Sequence, residues 1–174
     1  MTTKKKSPKK YARRWVMAGG IGAVAGSALL ATTWFNVFAD ASIEGALSVQ
    51  DANEQATEGA IYLVDIRRPD EWERTGVGRS AIPIDMRRDD FEVVLQALFD
   101  EAGARPVALI CARGVRSRHL TARLADAGFV NIIDVPEGML GSGAGPGWIA
   151  SDLPLRTPTT DELEGRVVAQ IEKS

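Results

Sequence analysis

Four short apolar runs punctuate the chain: IYLVDI (61–66), AIPID (81–85), VALIC (107–111) and NIIDV (131–135). They are rich in β-branched side chains and almost unbroken in hydrophobicity, as strands covered on both faces of a parallel sheet must be. The segments between them read as helices. Ser48 opens SVQDANEQA as an N-cap, and Pro69 begins PDEWERT, with acids in its first turn and Gly76 as its stop. RDDFEVVLQALFDEAG gathers Phe91, Val94, Leu95 and Leu98 on one face and ends at Gly103. SRHLTARLADAG, opened by Ser117, gathers Leu120, Leu124 and Ala127 and ends at Gly128. The alternation predicts an α/β fold of three layers, α/β/α, around a central, mostly parallel sheet. GMLGSGAGPGW (138–148) has five glycines in eleven positions and must be a loop, whose backbone freedom suits close approach to another surface or ligand. TPTTDELEGRVVAQIEKS reads as a polar turn and a weak amphipathic helix.

The charge is unevenly spread. Seven of the 21 basic residues (Lys4, Lys5, Lys6, Lys9, Lys10, Arg13 and Arg14) precede position 40 with no acid among them, leaving 14 against all 23 acids, a formal net of −9. So acidic a body argues against nucleic acid as its partner, because phosphate binding needs a basic face. The basic flank runs into 24 uncharged residues, 16–39. As a helix these would rise about 36 Å, against a hydrocarbon core of about 30 Å. The positive-inside bias then places everything after residue 40 outside the cytoplasm, in the periplasm or on the outer face of the cytoplasmic membrane. Two readings stay open. Residues 1–39 are a removable export signal, with VFA before Asp40 as a small-residue cleavage site, or one retained membrane anchor flanked by Trp15, Trp34 and Phe35. ARRWVMAGG resembles a twin-arginine export signal, with Ala12 where that family usually has Ser or Thr.

The chain has one cysteine and one histidine; an internal disulfide is excluded, and neither a metal nor a cofactor is expected. Both residues fall in CARGVRSRHL (111–120). Cys111 closes a strand, and Ala112, Arg113, Gly114, Val115 and Arg116 lead to the helix at Ser117. A thiol at the carboxyl end of a strand, facing a helix N-terminus, occupies the usual ligand position of an open α/β sheet. Loop amides, the helix dipole and the guanidiniums all stabilise thiolate over thiol there. They would equally cradle a group carried on sulfur. His119 reads as a solvated surface residue.

CARGVRS is similar to the active-site loop of rhodanese-like sulfurtransferases, a Cys, four residues and an Arg or Thr, with Gly at the fourth position. LVDIRRPDEW resembles that family's first block, and VNIIDVPEGMLGSGAGPGWIASDLPL its last strand, glycine-rich turn and Gly-Trp. The resemblance implies a rhodanese-like domain over 40–157, followed by a tail helix over 158–174. It implies covalent catalysis by a Cys111 thiolate. Loop amides from Ala112 to Ser117 would hold the persulfide, and Arg113 and Arg116 would attract a small anionic sulfur donor such as thiosulfate. A thiol or a protein would accept the sulfur. Asp65 and Arg67 would support the loop as a hydrogen-bonded pair, or only stabilise the fold. Glu137, Gly138 and Met139 would shape the pocket rim, and Trp148 would pack against the domain. The related phosphatases carry one more residue before their Arg, and position 117 is Ser117, which disfavours phosphate chemistry. Ala112 stands where the family often has a second Arg, and the common GHIPGA segment is GVGRSAIPI, without its His. Two further readings stay open: a non-catalytic rhodanese-fold binding or sensing module at the cell envelope, and a thiol-redox enzyme resolved by an external thiol.

Overall fold

The computed structural model describes residues 45–166. The expected signal or anchor (1–39) and the last eight residues of the tail helix lie outside the described residues. Four parallel strands make the central sheet: β1 (Tyr62–Asp65), β3 (Ala81–Pro83), β4 (Val107–Ile110) and β5 (Ile132–Val135), in the order β3-β1-β4-β5. Val64 pairs with Ile82 on one side and Leu109 on the other, and Leu109 pairs with Asp134. All four expected strands form, β1 trimmed at both ends and the other three at one. Pro83 is tolerated because β3 is an edge strand, where a missing amide leaves no ladder gap. The opposite edge is covered by Gly45–Leu47: Asp134 N donates to Gly45 O and Leu47 N to Asp134 O, both at 2.9 Å. That cover removes an open strand edge.

The helices are α1 (Val49–Thr57), α2 (Pro69–Thr75), α3 (Phe91–Ala102), α4 (Val115–Asp126) and two single turns, α5 (Gly147–Ala150) and α6 (Thr160–Leu163). Ser48 caps α1, accepting from Asp51 N, and α2 and α3 stop at Gly76 and Gly103 as the sequence requires. Successive strand residues face opposite layers. Val64, Leu109 and Cys111 pack with Phe91, Val94, Leu95 and Leu98 of α3 and Leu120 of α4. Leu63, Ala108 and Ile110 pack on the other face with Val49, Met139 and Trp148. Burying each such large side chain contributes roughly 1.5–3 kcal/mol, so both layers are needed.

Two local expectations are corrected. Helix α4 begins at Val115, two residues before Ser117, because Gly114 takes the left-handed conformation (φ 73°) and turns the loop straight into the helix. Ala127 caps α4 and is exposed instead of packing. A two-stranded antiparallel ribbon also forms, β2 (Val77–Gly78) with β6 (Leu155–Arg156). Trp148 is buried under it, donating to Pro154 O at 3.1 Å. Among the described residues no helix is long and apolar enough to cross a membrane.

Candidate active site

Strand β4 delivers Cys111 to the carboxyl end of the sheet, 1 % exposed. The chain then turns at Gly114 and enters α4. The backbone amides from Ala112 to Arg116 meet no acceptor among the described residues, as expected of a loop opening on a helix N-terminus. The Ser117 amide points at the sulfur, 3.5 Å from Cys111 Sγ. Such a cluster of amides with a helix dipole behind it favours negative charge. The turn is tightly held. A Cβ on Gly114 would stand 1.9 Å from Pro136 O, and one on Gly138 would stand 2.7 Å from both Cys111 O and Ala112 O. Met139 N and Leu140 N donate to those two carbonyls, each at 2.9 Å. The glycine-rich turn therefore backs the loop.

The arginines divide. Arg113 is exposed and has no ion-pair partner among the described residues. Arg116 is half-buried and forks onto Glu71, Nη1 to Oε2 at 2.9 Å and Nη2 to Oε1 at 2.7 Å. Burial pushes the Glu71 carboxyl up, but its bonds from Arg116 and the Arg68 backbone outweigh this and hold it at about 2. The Arg116 charge is thus largely matched, and Arg113 is the freer cation of the two. The sequence shows Glu71 only as one of the acids in the first turn of α2; there it accepts from the Arg68 amide at 3.0 Å and closes that turn.

Asp65 and Arg67 form a fully buried pair, Arg67 Nη2 to Asp65 Oδ2 at 2.7 Å. Arg67 also donates to Thr75 Oγ1 and Gly76 O, each at 2.8 Å. Its hydrogen bonds reach the end of α2 and none goes to the loop, so the pair's direct role is to fix β1 against α2. Glu137 is not a rim residue: it is buried, and its carboxylate accepts from Val49 N at 3.1 Å and Gly147 N at 3.2 Å. Met139 is buried as well. His119 is exposed. A cavity of about 440 Å³ between α3 and α4, walled by Phe91, Leu95, Leu120 and Leu124, takes no residue from the 111–117 loop.

A three-layer α/β domain with a cysteine in an amide-lined loop at the carboxyl end of its sheet defines a class of fold and site. The sequence profile of the rhodanese-like domain matches residues 46–141, and the chain belongs to that family. Among solved structures it is similar to Rv0390 from M. tuberculosis, at 26% identity over 67% of this chain and 100% of that one, with a TM-score of 0.50. It is also similar to the Alr3790 protein from Anabaena sp., at 15% identity over 73% and 92%, with a TM-score of 0.55. The polysulfide-sulfur transferase of Wolinella succinogenes matches at 25% identity over 79% and 96%, with a TM-score of 0.46. No curated protein matches the chain.

Proposed function

We propose that this protein is an exported sulfurtransferase that carries sulfane sulfur on Cys111. The Cys111 thiolate attacks the outer sulfur of thiosulfate or a similar donor, the S–S bond breaks, and sulfite leaves with its electron pair. The resulting persulfide anion passes its outer sulfur to a thiol or protein acceptor and returns the thiolate. No net oxidation occurs. The observation that carries this reading is the seat of the sulfur, at the carboxyl end of β4 with the Ser117 amide of α4 pointed at it and the amides from Ala112 to Arg116 free of any acceptor among the described residues, because such donors suit a thiolate and a persulfide alike. Arg113 serves as the steering charge. Arg116 is the second cation, matched by Glu71 until a donor anion competes for it. Residues 1–39 serve as export signal or anchor, placing the domain in the periplasm or on the outer face of the cytoplasmic membrane.

Incubation with thiosulfate should add the mass of one sulfur atom to the intact protein, and Cys111→Ser should add none. If neither thiosulfate nor polysulfide leaves that adduct, the reading fails. The same spectrum, taken on protein recovered from its own cell envelope, reports whether residues 1–39 are removed. A second reading, a binding or sensing module of this fold, is favoured by the near-complete burial of Cys111. It would win if Cys111→Ser fully restored a deletion strain.

A further inference from the structure

A cleft of about 900 Å³ opens beside the cysteine loop, between the start of α4, the end of β5 and the glycine-rich turn. Ala46, Val115, Ala122 and Ala144 give it an apolar wall. Asp134, 6 % exposed, lines it from β5, and its Oδ1 has no hydrogen-bond partner among the described residues. Thr121 is also in the lining, and its Oγ1 is likewise buried and unpartnered among the described residues. The two therefore do not satisfy each other. Native proteins seldom leave buried polar atoms so, and those that remain ask for a missing partner. Arg113 and Arg118 stand in the same lining. Neither holds a carboxylate among the described residues, whereas Arg67, Arg87, Arg88, Arg116 and Arg156 each do.

The charges select the occupant. A simple anion would suit the guanidiniums but meet the buried carboxyl. A simple cation would suit Asp134 but meet two arginines. A molecule carrying both charges a short distance apart satisfies every group, and an apolar side chain would lie along the alanine wall. We propose that this cleft binds a small zwitterion of the α-amino-acid type, its ammonium on Asp134 and Thr121 and its carboxylate on Arg113 and Arg118. The site does not depend on sulfur transfer. It nevertheless adjoins that chemistry, because it shares Arg113 with the donor's path, and the Ser117 hydroxyl lies beside the Asp134 carboxyl while the Ser117 amide points at Cys111 Sγ.

Calorimetric titration of the full chain in mild detergent tests this, with L-leucine as the probe. N-acetyl-L-leucine keeps the carboxylate without the ammonium, and L-leucine amide keeps the ammonium without the carboxylate. L-leucine should saturate one site, and each analogue should bind roughly tenfold more weakly or worse, as losing a charge-assisted bond implies. Asp134→Asn should weaken L-leucine by a similar factor. Arg118→Gln, a change at an exposed side chain that leaves folding intact, should do the same. Absence of saturable binding at millimolar L-leucine would overturn the proposal. Equal binding of N-acetyl-L-leucine would overturn it too, leaving a plain anion site. Persulfide formation on Cys111 is scored separately, so failure of one result leaves the other standing.

Discussion

Gly114 sets the shape of the reactive loop. Its φ of 73° belongs to the left-handed region, and the Pro136 carbonyl occupies the space where a side chain would begin. Gly114→Ala therefore adds backbone strain to a steric clash, and nothing nearby is a flexible side chain that could yield. It should cost about 2 kcal/mol or more in a urea titration. It should also slow alkylation of Cys111 if the loop amides are what stabilise the thiolate; an unchanged alkylation rate in a folded variant would show that they are not. The Asp65–Arg67 pair poses the opposite case, an attraction whose loss strands a charge. Asp65→Asn leaves Arg67 buried without its counterion, and breaking such pairs typically costs about 3–5 kcal/mol. Since the pair bonds to Thr75 and Gly76, thiosulfate loading of whatever protein remains folded should change little. A variant that folds normally but cannot form the persulfide would restore a direct role in the loop.

At the level of elements, the turn linking β1 to α2 and the turn linking β4 to α4 are locked by Glu71, which closes the first turn of α2 and holds Arg116 of α4. With its folded value near 2, well below the 4.5 of an unperturbed glutamate, Glu71 contributes stability that is fully present above about pH 4.5 and fades as the pH falls toward 2. The shift corresponds to roughly 3 kcal/mol. Urea midpoints between pH 2 and 7 should fall across that window, and Glu71→Gln should flatten much of the slope. The remainder is shared by Asp85, Asp90 and Glu162, whose carboxyls are also lowered, against burial, by bonds from Arg87, Arg88 and Arg156, and is opposed by Asp134, whose carboxyl burial raises. This contact shows what the sequence could and could not reveal. Strands β1, β3, β4 and β5 and helices α1 to α4 were legible because hydrophobic period, caps and glycine stops are written in adjacent residues. The place of Cys111 at the end of β4 was legible for the same reason, whereas the start of α4 at Val115 was set by the left-handed turn at Gly114. Glu71 and Arg116 lie 45 positions apart, and no spacing rule joins them. The β2–β6 ribbon escaped because two-residue strands carry no period, and Glu137 because a buried carboxylate bonded to two backbone amides leaves no mark in its neighbours.

Across the described residues, the sheet separates two apolar layers, and the buried carboxylates other than Asp134 are each held by an arginine or by backbone amides. Asp134 breaks that rule, and its cost bears on why such a residue would be kept. Burial pushes its carboxyl up, while the Ser117 hydroxyl, the Arg118 charge and the Val135 amide pull the other way without cancelling it. A carboxyl whose folded value is raised favours its neutral form in the native state. It therefore imposes no penalty below the unfolded value near 3.8, and an increasing one as the pH rises through the folded value. Asp134→Asn removes that penalty while keeping the shape of the side chain. Its urea midpoint at pH 7 should match or exceed that of the parent, and the difference should vanish near pH 3. The same substitution should abolish most binding of L-leucine. A residue that costs stability where it is ionised, and binding where it is replaced, is held for its ligand. A midpoint at pH 7 clearly below the parent's would instead mean that the carboxylate holds the end of β5 to α4, and the cleft would lose its best argument.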